Sequence, residues 1–308
     1  MGCKEKMKKI MDMIDIPGAD AIRGNITLPE SVDGVRVSWK SSNTDVITDR
    51  SCGSKKAGVV TRQSEDCKVT LTAEVSFDGE KAKAVKAIEV CVIKAPVPVT
   101  EDDYDGYLFG HFIGEDDENG EQIYFALSDD TLMFKDMNGG RPVLTSNIGE
   151  KGVRDPYLCR SAEGDRFFIV ATDLSIFHRG GWIQNEQGYY DASTTGSRFL
   201  VFWESTDLVN WSRERLIDVA PENAGMAWAP EMVYDDETGE YVIFFASSIM
   251  DHYTRMKSKP NAIYYVTTRD FVHFSDTGIF IDNQADNEEN GHNREIIDTT
   301  VLKIGDTY

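Results

Sequence analysis

The sequence predicts an all-β chain in two parts, a small β-sandwich followed by the blades of a propeller. Three observations carry that reading. Apolar residues alternate with polar ones through much of the first hundred positions, the pattern of half-buried strands. A proline-rich, acidic stretch follows. Beyond it, two short patterns recur in constant order at steps of roughly 70 residues, which indicates repeated multi-stranded units.

The chain opens with Lys alternating with Met and Ile from Met1 to Asp15, the rhythm of a short helix that Pro17 and Gly18 are expected to end. Period-2 runs then follow: Val35, Val37 and Trp39; Val69, Leu71, Ala73 and Val75; Ile88, Val90 and Val92. Alternate residues of each run point to one face, and turn clusters at Ser41-Ser42-Asn43 and Asp78-Gly79 separate them. Residues 1–95 are therefore assigned to a helix plus β-sandwich. The stretch NITLPESVDGVRVSWKSSNTDVI resembles the bacterial immunoglobulin-like modules that precede secreted glycosidases, and no catalytic cluster lies in it. Residues 96–105 read as a linker: Pro96 and Pro98 favour extended backbone, and Glu101, Asp102 and Asp103 keep it solvated.

Residues 106–308 carry the repeats. The first pattern places a small hydroxyl residue, an Asp, an apolar residue and an aromatic at fixed offsets. It reads SDDTLMF from Ser128, STDLVNW from Ser205 and TRDFVHF from Thr268. The second is a strand, an acidic turn and a strand, in DPYLCRSAEGDRFFIVAT from Asp155 and APEMVYDDETGEYVIFFA from Ala229, beginning again in DTTVLKIGDTY from Asp298. In a propeller the innermost strands surround one funnel, so residues opening them converge on a shared cavity. Acids stand at that position in two repeats, Asp155 and Asp298.

Composition narrows the partners. Acids outnumber bases 53 to 32, for a formal net charge of −21. That balance opposes binding to nucleic acid or an anionic membrane, both of which need basic surface; a neutral sugar meets no such penalty. Five cysteines lack zinc or scaffold spacing, and Cys52 and Cys67 read either as a pair or as free thiols. No stretch approaches the ~18–20 apolar residues of a membrane span. The start lacks the apolar region of a secretion signal, so the protein is either intracellular or stripped of its leader; Met1-Gly2-Cys3 matches the remnant of a lipoprotein cleavage site.

Glycoside hydrolysis needs two carboxyl groups flanking the scissile bond. Asp155, in Arg154-Asp155-Pro156, and Asp298 are the candidates, although an Asp-Pro pair at a strand start also serves as turn chemistry. Read together and in order, GVRDPYL, MAWAPEMVYDDETGEYVIFFA and IIDTTVLKIGDTY resemble the first, second and third blade openings of glycoside hydrolase family 43, over roughly Tyr107 to Tyr308. The resemblance implies an N-terminal Ig-like β-sandwich followed by an incomplete five-bladed β-propeller, with about three blades present. It further implies inverting hydrolysis of α-L-arabinofuranosides or β-D-xylosides. Asp155 then matches the general base, and Asp298 the carboxylate that orients the general acid and adjusts its pKa. The acid itself, a Glu, is expected after residue 308, so a non-catalytic carbohydrate-binding fragment is the alternative reading.

Other residues remain candidates for substrate binding. Glu231, walled by Trp228, reads as a general acid or as a subsite residue. Arg154 reads as a carboxylate partner or a loop anchor, Asp173 as a hydrogen-bond partner for a sugar hydroxyl, and Trp182 as a stacking platform. Phosphorolysis is disfavoured because Arg and Lys are sparse at the openings. The reaction needs no cofactor, and the five His residues lack metal-ligand spacing; a structural cation near His292 is left open. The expected partner is an oligo- or polysaccharide, and the expected location is extracellular or in the cell envelope.

Overall fold

The computed structural model describes residues 3–76, 83–254, 256–291, 294–305 and 307. Met1, Gly2, the expected Asp78-Gly79 turn and His292 lie outside the described residues. The chain is all-β, an Ig-like module followed by propeller blades, and it forms two compact units. The first takes Met1–Val97 together with two turns from later in the chain, Tyr234–Tyr241 and Thr268–His273. The second holds Pro98–Val233, Val242–Thr267 and Phe274–Tyr308.

In the first unit, helix α1 (Cys3–Met13) precedes β1 (Ser31–Val32), β2 (Val35–Ser41), β3 (Cys67–Ser76) and β4 (Lys83–Val92), which form one antiparallel sheet in that order. The predicted alternation is realised on β3, where Val69, Leu71, Ala73 and Val75 are buried. The sheet packs on two cores. One gathers Ile22, Ile26, Ile47, Leu71 and Val90; the other seats Ile10 and Ile14 against Val35, Val37 and Val75. The layer opposite the strands is irregular and held by single bridges, Ile22 to Val92 and Ile47 to Val60.

The helix ends at Met13, ahead of Pro17-Gly18. Its last carbonyls would otherwise lack donors, and Lys86 from β4 supplies them, its Nζ lying 3.0 Å from Met11 O and 2.6 Å from Ile14 O. Cys52, Cys67, Cys91 and Cys159 are free thiols. A buried arginine ties the two later turns into this unit. Arg269 donates to the carbonyls of Lys56 (3.2 Å), Ala57 (2.8 Å) and Thr238 (3.0 Å) and faces Glu240.

The second unit begins with β5 (Tyr107–His111), β6 (Tyr124–Ser128) and β7 (Lys135–Asp136), a three-stranded sheet. Next come β8 (Val153–Arg160) and β9 (Phe167–Asp173), the short helices α2 (Ile176–Arg179) and α3 (Ala192–Thr195), then β10 (Phe199–Ser205) and β11 (Arg215–Asp218). The last sheet is β12 (Trp228–Asp235), β13 (Glu240–Met250), β14 (Lys257–Thr268) and β15 (Gly278–Ile281), followed by α4 (Gln284–Asn290). Both four-stranded sheets take their strands in chain order, with β8–β9, β9–β10, β10–β11 and β14–β15 paired antiparallel, the order expected of blades. Ile123, Phe125, Val153, Ile169, Val201 and Trp203 build the core shared by the first two sheets.

The first sequence repeat proves to be one turn built three times. Thr131, Leu208 and Phe271, each directly after the repeat's Asp, adopt left-handed φ of 65°, 62° and 55°. Such backbone costs an L-residue about 1–2 kcal/mol, so it must be held. The hydroxyls of Ser128, Ser205 and Thr268 each accept two backbone N–H bonds within the turn. Asp130, Asp207 and Asp270 each accept two more from the residues that follow. These hydrogen bonds explain why the repeat demands a small hydroxyl residue and an Asp while tolerating Thr, Leu or Phe directly after the Asp.

The third opening departs from expectation. Residues 298–303 carry no strand, and among the described residues nearby the ladder is limited to the single bridge between Ile304 and Thr307. A strand exists only where a neighbour completes its hydrogen bonds, and among the described residues none lies alongside this segment in register.

Candidate active site

The three openings meet. Asp155-Pro156-Tyr157, Ala229-Pro230-Glu231 and Asp298-Thr299-Thr300 line one cavity of about 230 Å³. Each opening contributes the same three positions, and each begins with the same backbone: φ is 49° at Asp155, 46° at Ala229 and 57° at Asp298. At Asp155 the cause is visible in the register, because β8 slips against β9 between Arg154 and Tyr157. A bulge of this kind turns a side chain out of the regular alternation. Strain thus aims each opening residue, and Asp tolerates the left-handed region better than most side chains.

Asp155 is half-buried. Its Oδ2 accepts from the Thr172 hydroxyl at 2.9 Å, and that hydroxyl accepts from the Ala229 N–H at 2.7 Å. Burial pushes the Asp155 carboxyl above its ordinary value; the Thr172 bond and the Arg154 charge oppose this, and the charge of Asp298 reinforces it. That last influence places the two acids within electrostatic reach of each other. Tyr157 is pushed up to about 12 by burial and by the nearby Cys159 and Glu231. Its phenol therefore stays protonated and offers the cavity a donor.

Glu231 reaches the third opening instead of standing free. Its Oε1 accepts from the Thr300 hydroxyl (2.9 Å) and its Oε2 from the Val301 N–H (3.1 Å). With both oxygens engaged, it is built to hold Asp298 and its neighbours in place.

The remaining candidates lie outside the cavity lining. Arg154 turns away to pair with Glu115 (3.1 Å) and Glu121 (3.0 Å), its guanidinium stacked over Phe112 and Trp182. Its contacts match both readings, since it holds two carboxylates and, through Glu121, anchors the loop that starts α2. Glu121 is buried and caps the start of α2 through Ser175, Ile176 and Phe177. Asp173 is buried too, 1% exposed, and accepts from the Glu150 N–H at 2.8 Å. Burial raises its carboxyl, which Ser197 and the Glu150 N–H oppose. The expected sugar-hydroxyl contact is corrected on that ground, since a side chain sealed beneath its loop does not meet a ligand. Trp182 is partly exposed, packs edge-on to Trp228 with ring centroids 6.3 Å apart, and donates its indole N–H to Glu115 at 2.9 Å. Trp228 packs against Leu174, Ile176 and Ala192 directly before the cavity residue Ala229.

Sequence reasoning missed Thr172, Tyr157 and Thr300. Thr172 stands opposite Arg154 in the ladder, a position with no signal in a single chain. Tyr157 and Thr300 were legible in principle, each two places after an opening Asp.

Fold and site together define a blade-built β-protein whose repeat openings bring two aspartates to one pocket. Comparison with known proteins gives the class its family. Residues 102–308 match the glycosyl hydrolase 43-related family, described as a probable glycosyl hydrolase domain, and residues 7–95 match an atrophied bacterial Ig domain. The chain belongs to that glycosyl hydrolase 43-related family. An alpha-L-arabinofuranosidase of Bifidobacterium longum subsp. longum is 34% identical over 308 aligned residues, which take in 90% of this chain and 27% of the relative. The chain thus spans about a quarter of the length of the curated relative it matches. Among solved structures, an exo-1,5-alpha-L-arabinanase from a bovine ruminal metagenomic library is 8% identical, covering 68% of this chain and 74% of its own, with a TM-score of 0.36. The alpha-L-arabinanase of Cellvibrio cellulosa is 11% identical, covering 74% and 76%, with a TM-score of 0.32.

Proposed function

We propose that the propeller part acts in the inverting hydrolysis of α-L-arabinofuranosides, with β-D-xylosides as the competing substrate class. One observation carries the reading: Asp155 and Asp298, far apart in sequence, occupy equivalent strained positions on a single cavity. Asp155 is the general base. Its half-buried carboxylate, in the ionised form, takes a proton from a water that attacks the anomeric carbon from the side opposite the leaving group. Asp298 orients and tunes the acid that protonates the leaving oxygen. Tyr157 donates to a sugar hydroxyl. The arabinose preference follows the 34%-identical relative. A location outside the cell or in its envelope is part of the same proposal, because that is where a sugar polymer is met.

The test compares aryl α-L-arabinofuranoside with aryl β-D-xyloside, using the full chain, Asp155→Asn and Asp298→Asn, with proton NMR of the first-formed anomer. Turnover lost by roughly 10³-fold or more in Asp155→Asn and an inverted product are expected. Unimpaired turnover in that variant refutes the assignment. Calorimetric binding of arabino-oligosaccharide without turnover in the unsubstituted chain favours the non-catalytic reading, which the engaged carboxylate of Glu231 supports.

A further inference from the structure

The geometry points to Thr172 as the residue that positions Asp155: its side chain joins two strand openings and fixes which oxygen of the base is free to work. The inference rests on the reading of Asp155 as the carboxylate that acts on substrate. Thr172 is fully buried on β9, so its hydroxyl has no water to turn to. A hydroxyl has one proton and two lone pairs. The Ala229 N–H, 2.7 Å away, can only donate, so it occupies a lone pair. The proton is thereby directed to Asp155 Oδ2 at 2.9 Å. Oδ2 must accept, which favours the ionised carboxylate, and Oδ1 is left for water in the cavity.

This arrangement is not a general property of the blades. Ser247 stands eight residues after the turn glycine Gly239, as Thr172 does after Gly164. Its hydroxyl is equally buried yet donates to Met226 O at 2.7 Å. The difference follows from the opening that each one faces. Thr172 sits beside an opening that starts with a carboxylate and next to one, Ala229, that offers only its N–H. The charged groups around Asp155 all have other fixed roles: Arg154 is paired with Glu115 and Glu121, Glu231 holds Thr300 and Val301, and Asp298 lies across the cavity. Thr172 is the neutral donor bonded to Asp155; Tyr157, protonated, lines the same cavity.

The experiment titrates Asp155 directly, independent of turnover, in the full chain carrying 13Cγ-labelled Asp, with its resonance assigned by difference from Asp155→Asn. Thr172→Val keeps the shape and removes the donor; it should raise the Asp155 midpoint by about one pH unit, a tenfold change in proton affinity. Thr172→Ser keeps the hydroxyl and should leave the midpoint near wild type. The acid limb of kcat/KM should move with the midpoint and be restored by Ser, which a merely structural role would not produce. A folded Thr172→Val with an unmoved Asp155 midpoint overturns the proposal. A moved midpoint without a matching kinetic limb supports it and overturns instead the reading of Asp155 as base. Should Thr172→Val fail to fold, the unsubstituted chain carries the test. A Thr172 hydroxyl proton protected from exchange and titrating with Asp155 supports the link; one that exchanges freely overturns it.

Discussion

Replacing Glu231 separates two roles that the sequence left open, proton donor and scaffold for the third opening. Residues 298–303 lack a strand ladder, so side-chain bonds and packing hold them. Two of those bonds end on Glu231, from Thr300 and Val301, while Ile296 and Val301 pack beside Phe244 and Ile263. Hydrogen bonds to a charged acceptor contribute about 1.5–3 kcal/mol when buried. Thr300 is exposed and Glu231 only half-buried, so solvent reduces each to about 1 kcal/mol here. Glu231→Ala should therefore loosen the segment by about 2 kcal/mol in total. If Asp298 must be placed for the reaction, kcat/KM for an aryl arabinofuranoside should fall about 10–30-fold, a loss of that same size. Hydrogen exchange at Val301 should accelerate in parallel. Glu231→Gln keeps one acceptor oxygen, and the Thr300 hydroxyl can reverse to accept from the amide, so it should lose only a few-fold. The reasoning is refuted if Glu231→Gln abolishes turnover as completely as Asp155→Asn while Val301 stays protected. That pattern would make Glu231 the acid.

Two further outcomes test the electrostatics. Burial raises the Asp155 carboxyl, so between its unfolded and folded pKa values the native state binds more protons and stability falls as pH rises. Asp155→Asn should melt above wild type at pH 7, and the gap should close below the unfolded value of about 3.9; an equal gap at both pH values would place its origin outside ionisation. Arg269→Met removes bonds to the carbonyls of Ile26, Lys56, Ala57 and Thr238 and the pairing with Glu240, which keeps Lys56 at 3.2 Å. It should cost about 3 kcal/mol, at the low end for breaking a buried pair, read from denaturant unfolding of the full chain. A loss below about 0.5 kcal/mol would class this arginine with ordinary surface positions.

Much of the architecture was legible because it is local. Alternation at Val69, Leu71, Ala73 and Val75 is a property of neighbouring residues, and the burial of all four follows from the pleat. The hydroxyl–Asp repeat was equally readable, since its bonds close within a few residues. Less legible were elements whose ends depend on distant partners. The first helix stops where Lys86, more than seventy residues on, takes its carbonyls. The third opening has the sequence of a strand but no ladder. Among the site residues, Asp155 and Asp298 were visible as a repeat, whereas Asp173 resembled a site residue only because burial cannot be read from a strand end.

What the sequence determined by itself is the recurrence: three openings, two of them acidic, spaced so that repeated sheets bring them round to one place. Tertiary structure decided which way each side chain points. A register slip puts Asp155 into the cavity while its neighbour Arg154 turns toward Glu115 and Glu121; the Thr172 hydroxyl donates to what the slip exposes, and Glu231 accepts from Thr300 at the third opening. Spacing along a chain sets which residues can meet; direction comes from backbone angles and from bonds to residues remote in sequence, and those exist only once the sheets have formed.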